Sequence, residues 1–164
     1  MKAKKTSFLL FFVMTNFLFL NGFSQNETIS MKDLGISISV DAPKGTKVHK
    51  KENKSASDFS KKYTIEGAAF LLIVEEISMV GNTIPVVLKR NKNSDAFTSE
   101  IIEEFENGYI TKTTGEEIYG FKYIGAIDAR KGYIIYNDDT AGKNLTKEEA
   151  KKLFDLAKTS KIVK

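Results

Sequence analysis

The sequence predicts an α+β domain, an antiparallel β-sheet of about six to seven strands with two main helices packed on it. Three observations carry this. Short segments with period-two hydrophobicity recur through the chain, and two stretches place apolar residues at helical spacing. Strands and helices also do not alternate one by one, as a doubly wound parallel sheet would require.

Residues 35–41, GISISVD, turn Ile36, Ile38 and Val40 one way and Ser37, Ser39 and Asp41 the other, a half-buried strand with one wet face. Pro43 and Gly45 end it in a turn. A short strand follows through Lys47, Val48 and His49, then a polar loop over 50–60. KKYTIEG alternates through Tyr63 and Ile65 to a turn at Gly67. Residues 68–77, AAFLLIVEEI, are apolar on both faces, as a central covered strand is. A buried helix is the alternative, and the short length with Gly81-Asn82 behind it favours the strand.

Residues 84–92, IPVVLKRNK, fit neither period. Residues 95–106 predict a helix: Phe97, Ile101 and Phe105 fall at helical spacing with Ile102 beside them. Ser94 is its N-cap, Asp95 suits the helix start, and Asn107-Gly108 supplies the stop. GYITKTT then runs to Gly115. EIYGFKYIGAID places Tyr119, Phe121, Tyr123 and Ile127 on one face and Gly120, Lys122, Ile124 and Ala126 on the other. A turn at 130–132 returns the chain as YIIYN. The last element is a helix with the stripe Ala150, Leu153, Phe154 and Ala157.

The N-terminus reads as a targeting segment. Lys2, Lys4 and Lys5 precede an apolar run from Phe8 to Leu20, and small residues follow at Gly22 and Ser24. This is the order of a secretory signal peptide cleaved after Ser24. The run is shorter than the roughly 20 residues that span a bilayer, so the expectation is a signal peptide at 1–24, a single domain at 25–164, and no stable membrane span after cleavage. The expected location is periplasmic or secreted. Three of the 25 basic residues and none of the 21 acidic ones lie in 1–24, which leaves 22 against 21 and a net charge of +1. A nucleic-acid or general membrane-surface role loses its support in overall charge. With no cysteine, the chain has no disulfide, no thiolate nucleophile and no thiolate metal site.

The stretch YNDDTAGKNLTKEE, 136–149, resembles an EF-hand calcium loop, with Asn137, Asp139, Gly142 and Glu148 at positions one, three, six and twelve. Ala141 stands where a fifth-position ligand is needed, and the loop leaves a strand instead of a helix. Turn-forming residues followed by a Thr146–Glu149 capping box explain the same letters without metal. The reading is therefore no metal and no cofactor, with Asn137, Asp139 and Glu148 as weak candidates.

His49, the only histidine, sits among lysines, and is expected to be an exposed residue at a strand end. Adjacent acids such as Glu75-Glu76 face opposite ways on a strand, and Glu103, Glu104 and Glu106 fall on the expected helix as solvated groups. Lys44, Lys47, Lys50, Lys51, Lys54, Lys61 and Lys62 read as a solvated edge, with a basic patch for an anionic partner as the alternative. Tyr119, Phe121 and Tyr123 read as core. Tyr133 and Tyr136 lie on opposite faces, so at least one could be exposed. These five aromatics are the weak ligand-binding candidates.

DLGISISVDAPKGTKV at 33–48, the central strand AFLLIVEEI, the expected helix SDAFTSEIIEEF, the three later strands and TKEEAKKLFDLAKTSKIV follow one order. In that order the chain resembles PsbP-like proteins. The resemblance implies an antiparallel sheet between helices, an α/β/α sandwich, and a role in partner binding or assembly without shared catalytic apparatus. The leader ending in Ser24-Gln25 resembles those of exported Bacteroidetes proteins. The function expected is an exported, non-enzymatic binding or assembly-factor domain with an envelope protein or small ligand as partner. The alternatives are a lipid or peptide pocket beside Tyr119, Phe121 and Tyr123, and a hydrolase built from dispersed carboxylates.

Overall fold

The computed structural model describes residues 25–51, 62–67, 70–137 and 143–164. The expected signal peptide, most of the polar loop and Asp139 with its neighbours lie outside the described residues. In chain order the elements are β1 (Asn26–Ser30), a 3-10 turn (Lys32–Leu34), β2 (Ile38–Pro43), β3 (Lys47–Lys51), β4 (Lys62–Glu66), β5 (Leu71–Ser78), α1 (Ile84–Asp95), β6 (Ser99–Phe105), β7 (Gly108–Thr113), β8 (Tyr119–Ala126), β9 (Lys131–Asn137), α2 (Lys147–Lys158) and β10 (Lys161–Ile162).

The main sheet has seven strands in the order β3-β4-β5-β9-β8-β7-β6, and a small sheet has the order β1-β2-β10. Neighbours in both sheets pair antiparallel. The fold is α+β, as periodicity and element order predict. β5 is interior, between β4 and β9, which is why its run is apolar on both faces.

The two faces of the main sheet have separate cores. On the first, Tyr63, Ile65, Leu72, Val74, Ile110, Phe121, Tyr133 and Ile135 pack against Ile38 and Val40 of β2 and against Ala150, Leu153, Phe154 and Ala157 of α2. On the second, Tyr109, Ile124 and Ile134 pack against Met79 and against Val87 and Leu88 of α1. The alternation of Tyr133, Ile134 and Ile135 along β9 puts these clusters on opposite sides. The layers are therefore α1, the seven-stranded sheet, and α2 side by side with the small sheet. Both cores are built from residues after Ser24.

Three expectations change. The helix at 95–106 is instead strand β6, and the helix lies just before it as α1. Ser94 is not its cap; Thr83, in extended conformation, precedes α1, and Pro85 occupies its first turn. The misleading signal has a physical source. The β6–β7 register shifts between Ile101 and Glu103, a bulge at Ile102. Ile101 packs with the α1 cluster while Ile102 and Phe105 pack with the α2 cluster, so a strand that feeds both cores carries an apolar doublet like that of a helix. α1 itself buries fully only Val87 and Leu88, too narrow a stripe to announce a helix. Secondly, Glu103 and Glu104 are strand residues aimed at different helices: Glu103 meets Lys147 and Lys151 of α2, and Glu104 meets Lys92 of α1. Thirdly, the first expected strand begins later, at Ile38, and pairs with β1 and β10 in the small sheet. Gly35, at φ 95°, closes the 3-10 turn before it.

Candidate functional site

α1 packs on β8 and β6. The second face over β3, β4 and the adjoining half of β5 carries no described helix. Strand alternation brings Lys62, Thr64 and Glu66 of β4, Ile73 and Glu75 of β5, Tyr136 of β9 and Lys122 of β8 to this face. The register sets Lys62 opposite Glu75, Thr64 opposite Ile73, Ile73 opposite Tyr136, and Tyr136 opposite Lys122.

These side chains form one continuous polar row. Lys62 Nζ lies 3.0 Å from Glu75 Oε2. Tyr136 OH donates to the same carboxylate at 3.2 Å. The Lys122 ammonium stands 5.9 Å from the Tyr136 ring centroid and donates to Asp95 Oδ1 at 2.7 Å. Tyr109 OH donates to Asp95 Oδ2 at 2.8 Å. Asp95 ends α1, so the row runs from β4 across the sheet to the C-terminal end of the helix. The side chains of Lys62, Glu75, Lys122 and Asp95 are 20, 21, 22 and 20 % exposed.

Three groups of the row have displaced titrations, Lys62, Tyr136 and Tyr109. Burial alone would lower the Lys62 ammonium, but the hydrogen bond to Glu75 and the charges of Tyr136 and Glu75 outweigh it and raise it. Burial pushes the Tyr136 hydroxyl up, aided by the Glu75 charge. Burial and then the Asp95 hydrogen bond raise Tyr109 far above the usual tyrosine range. At the margin, the hydrogen bond from Lys143 lowers Glu66. A general acid or base works best with a pKa near the operating pH, and these shifts all lead away from neutrality.

The aromatic candidates divide between the faces. Phe121 is buried edge-on to Phe154 at 6.2 Å, and Tyr123 meets Phe154 at 6.1 Å and Tyr133 at 6.3 Å. Tyr119 flanks this core and its hydroxyl donates to Glu117 at 2.7 Å. Tyr133 and Tyr136 do lie on opposite faces, but neither is exposed: Tyr133 is 3 % accessible and shares a hydrogen bond with Ser160 Oγ at 2.7 Å, and Tyr136 is half-buried in the polar row. The rings between β8 and α2 thus fill the space beside Tyr119, Phe121 and Tyr123 with one another.

Of the calcium-loop candidates, Asn137 Oδ1 accepts the Phe121 backbone N–H at 2.8 Å, Asp139 lies outside the described residues, and Glu148 is exposed in the first turn of α2. The capping box forms: Glu149 N–H donates to Thr146 Oγ1 at 3.3 Å, and Thr146 N–H donates to Glu149 Oε2 at 2.9 Å. Among the described residues no three acidic or histidine side chains gather as a metal site. His49 is half-exposed, 3.7 Å from Glu66, and lies in mid-strand, not at its end. Glu75 and Glu76 face opposite sides as alternation requires, Glu76 reaching Lys131 at 3.4 Å.

Sequence reasoning missed the row as a unit. It placed Lys122 on the face opposite Tyr119 and separated Glu75 from Glu76, but the register that joins Lys62, Glu75 and Tyr136 is a tertiary fact. Compared with known protein families, curated proteins and solved structures, the chain matches none. Among the described residues no helix is long and apolar enough to cross a membrane.

Proposed function

We propose that this chain is an exported, non-enzymatic binding or assembly-factor domain, and that it meets a protein partner of the cell envelope at the polar row on the half of the second sheet face that α1 does not cover. One observation carries the reading. The Lys62–Glu75–Tyr136–Lys122–Asp95–Tyr109 row is preorganised and partly exposed, and its resolved pKa shifts lead away from proton transfer at neutral pH. Such a surface selects a partner by matching charges at fixed spacing, because an unmatched partner would leave half-buried charges unpaired. The PsbP-like resemblance belongs to this proposal, and the placement of one helix on each face of an antiparallel sheet supports it. Export rests on the pattern of residues 1–24.

The test uses the tagged chain without residues 1–24 and its Thr64→Arg variant. Thr64 is half-buried on this face opposite the buried Ile73, so arginine there adds bulk and charge beside the row, and circular dichroism of the variant checks that it folds. The expected outcome is a stoichiometric envelope protein recovered with the parent chain, seen by native mass spectrometry, and lost with Thr64→Arg. Recovery of the same companion by both chains would move the contact elsewhere, and a bare parent chain would sink the reading.

A further inference from the structure

α1 buries Val87 and Leu88, with Ile84 partly covered. The opposite stripe of the same helix carries Val86, Lys89, Arg90 and Asn93, at the i, i+3, i+4 and i+7 spacing that marks one helix face. The turn after the helix continues with Phe97, whose N–H reaches Ser94 O, and so extends the stripe. Phe97 is 89 % exposed and Val86 51 %. The turn leading into the helix adds Val80, 65 % exposed, next to the β8–β9 turn, where Met79 N–H donates to Arg130 O. Arg130 is exposed there.

The charged side chains of the stripe itself are cations, while the acids nearest to it, Glu104 and Glu106, stand on and after β6 at the flank of the helix. Lys89 and Arg90 are exposed and, among the described residues, meet no acid. The helix has no acidic residue before Asp95, and Asp95 is turned inward to Lys122 and Tyr109. The face therefore pairs protruding apolar side chains at both ends with cations between them.

We infer that the outer face of α1 docks on an anionic lipid bilayer surface, with Phe97 and Val86 entering the interface and Lys89 and Arg90 among the headgroups. The shape favours lipid over an acidic protein. Isolated side chains standing nearly clear of the surface need a matching pocket to be buried in a protein, whereas a fluid interface closes around them. Cations near an anionic leaflet add attraction that decays within a Debye length. The overall charge balance conceals this because most lysine-paired acids lie away from the helix, on β4, β5 and the β7–β8 hairpin and on the α2 side of β6. The inference does not depend on the proposed protein partner, which uses the sheet.

Sedimentation with vesicles tests it, using the chain without residues 1–24 so that their apolar run contributes nothing. The parent chain is expected to bind vesicles of phosphatidylcholine mixed with phosphatidylglycerol, to bind pure phosphatidylcholine far less, and to be released by salt. Phe97→Ser and the double variant Lys89→Glu/Arg90→Glu are each expected to bind on the order of tenfold more weakly. Circular dichroism should show parent-like folding in both, because neither change touches a core. Lys44→Glu/Lys47→Glu changes the net charge equally at exposed positions away from the helix and should bind like the parent. No binding to the anionic vesicles, or equal loss in the Lys44/Lys47 control, would overturn the inference.

Discussion

Thr146 shows how one residue sets an element. Its hydroxyl accepts the Glu149 N–H and its own N–H is taken by the Glu149 carboxylate, so two otherwise unpaired donors at the start of α2 are satisfied. Thr146→Ala is expected to lower stability by about 1 kcal/mol in urea denaturation; an unchanged midpoint would mean the Glu149 half of the box suffices. Gly108 is set by contact instead of turn geometry. A Cβ there would fall on the Lys122 carbonyl oxygen and the Phe154 ring, which is why the strand start that sequence reads as a helix stop needs glycine in the fold. Both residues are legible as letters, but only Thr146 is legible as to cause, because its partner is three positions away and the partners of Gly108 are distant in the chain.

At the scale of elements, α2 is the best predicted and α1 the worst. α2 buries a full stripe, and Phe154 at its centre stacks on Phe105 at 4.4 Å while touching Phe121 and Tyr123 edge-on. Phe154→Ala is expected to cost about 3–5 kcal/mol, since β2 and β8 leave no side chain free to fill the space. A loss below 1 kcal/mol in the same denaturation series would show that the layer collapses around the gap. α1 leans on two buried residues, and its C-terminal half is held by Lys92 to Glu104 and by Asp95 to Lys122 and Tyr109. β6 was hidden for the converse reason. Alternation sends Ile101 and Ile102 to opposite cores, the bulge brings Phe105 to the side of Ile102, and periodicity cannot separate that pattern from a helix face.

For the whole molecule, paired carboxylates and buried hydroxyl and ammonium groups define a pH range of stability. Hydrogen bonds from Lys147 and then Lys151 hold the Glu103 carboxyl below its ordinary value of 4.5, and bonds from Lys112 and then Tyr119 do the same to Glu117. A lowered folded-state pKa gives stability that is present above the unfolded value and lost as pH falls through the folded one. On the alkaline side the signs reverse. Burial pushes Tyr133 from 10.0 up to about 12, and Lys62 is raised above 10.5, so their contributions are full below the unfolded values and lost as pH rises through the folded ones. Urea midpoints are therefore expected to be flat from about pH 5 to 9 and to decline on both sides. Glu103→Gln should soften the acid decline; an acid limb of unchanged steepness in that variant would remove Glu103 from the explanation.

The sequence by itself determined the class of fold, the identity of β5 as an interior strand, the apolar stripe and capping box of α2, and the opposite facing of Tyr133 and Tyr136. Each depends on interactions within a few residues or on a period counted along one segment. Only the tertiary structure decided which segment between β5 and β7 is the helix, that β2 belongs to a separate small sheet, and that Lys62, Glu75, Tyr136, Lys122, Asp95 and Tyr109 form one row. Those facts rest on strand register and on which core each face meets. Register is settled by packing across the sheet, where residues tens of positions apart become neighbours.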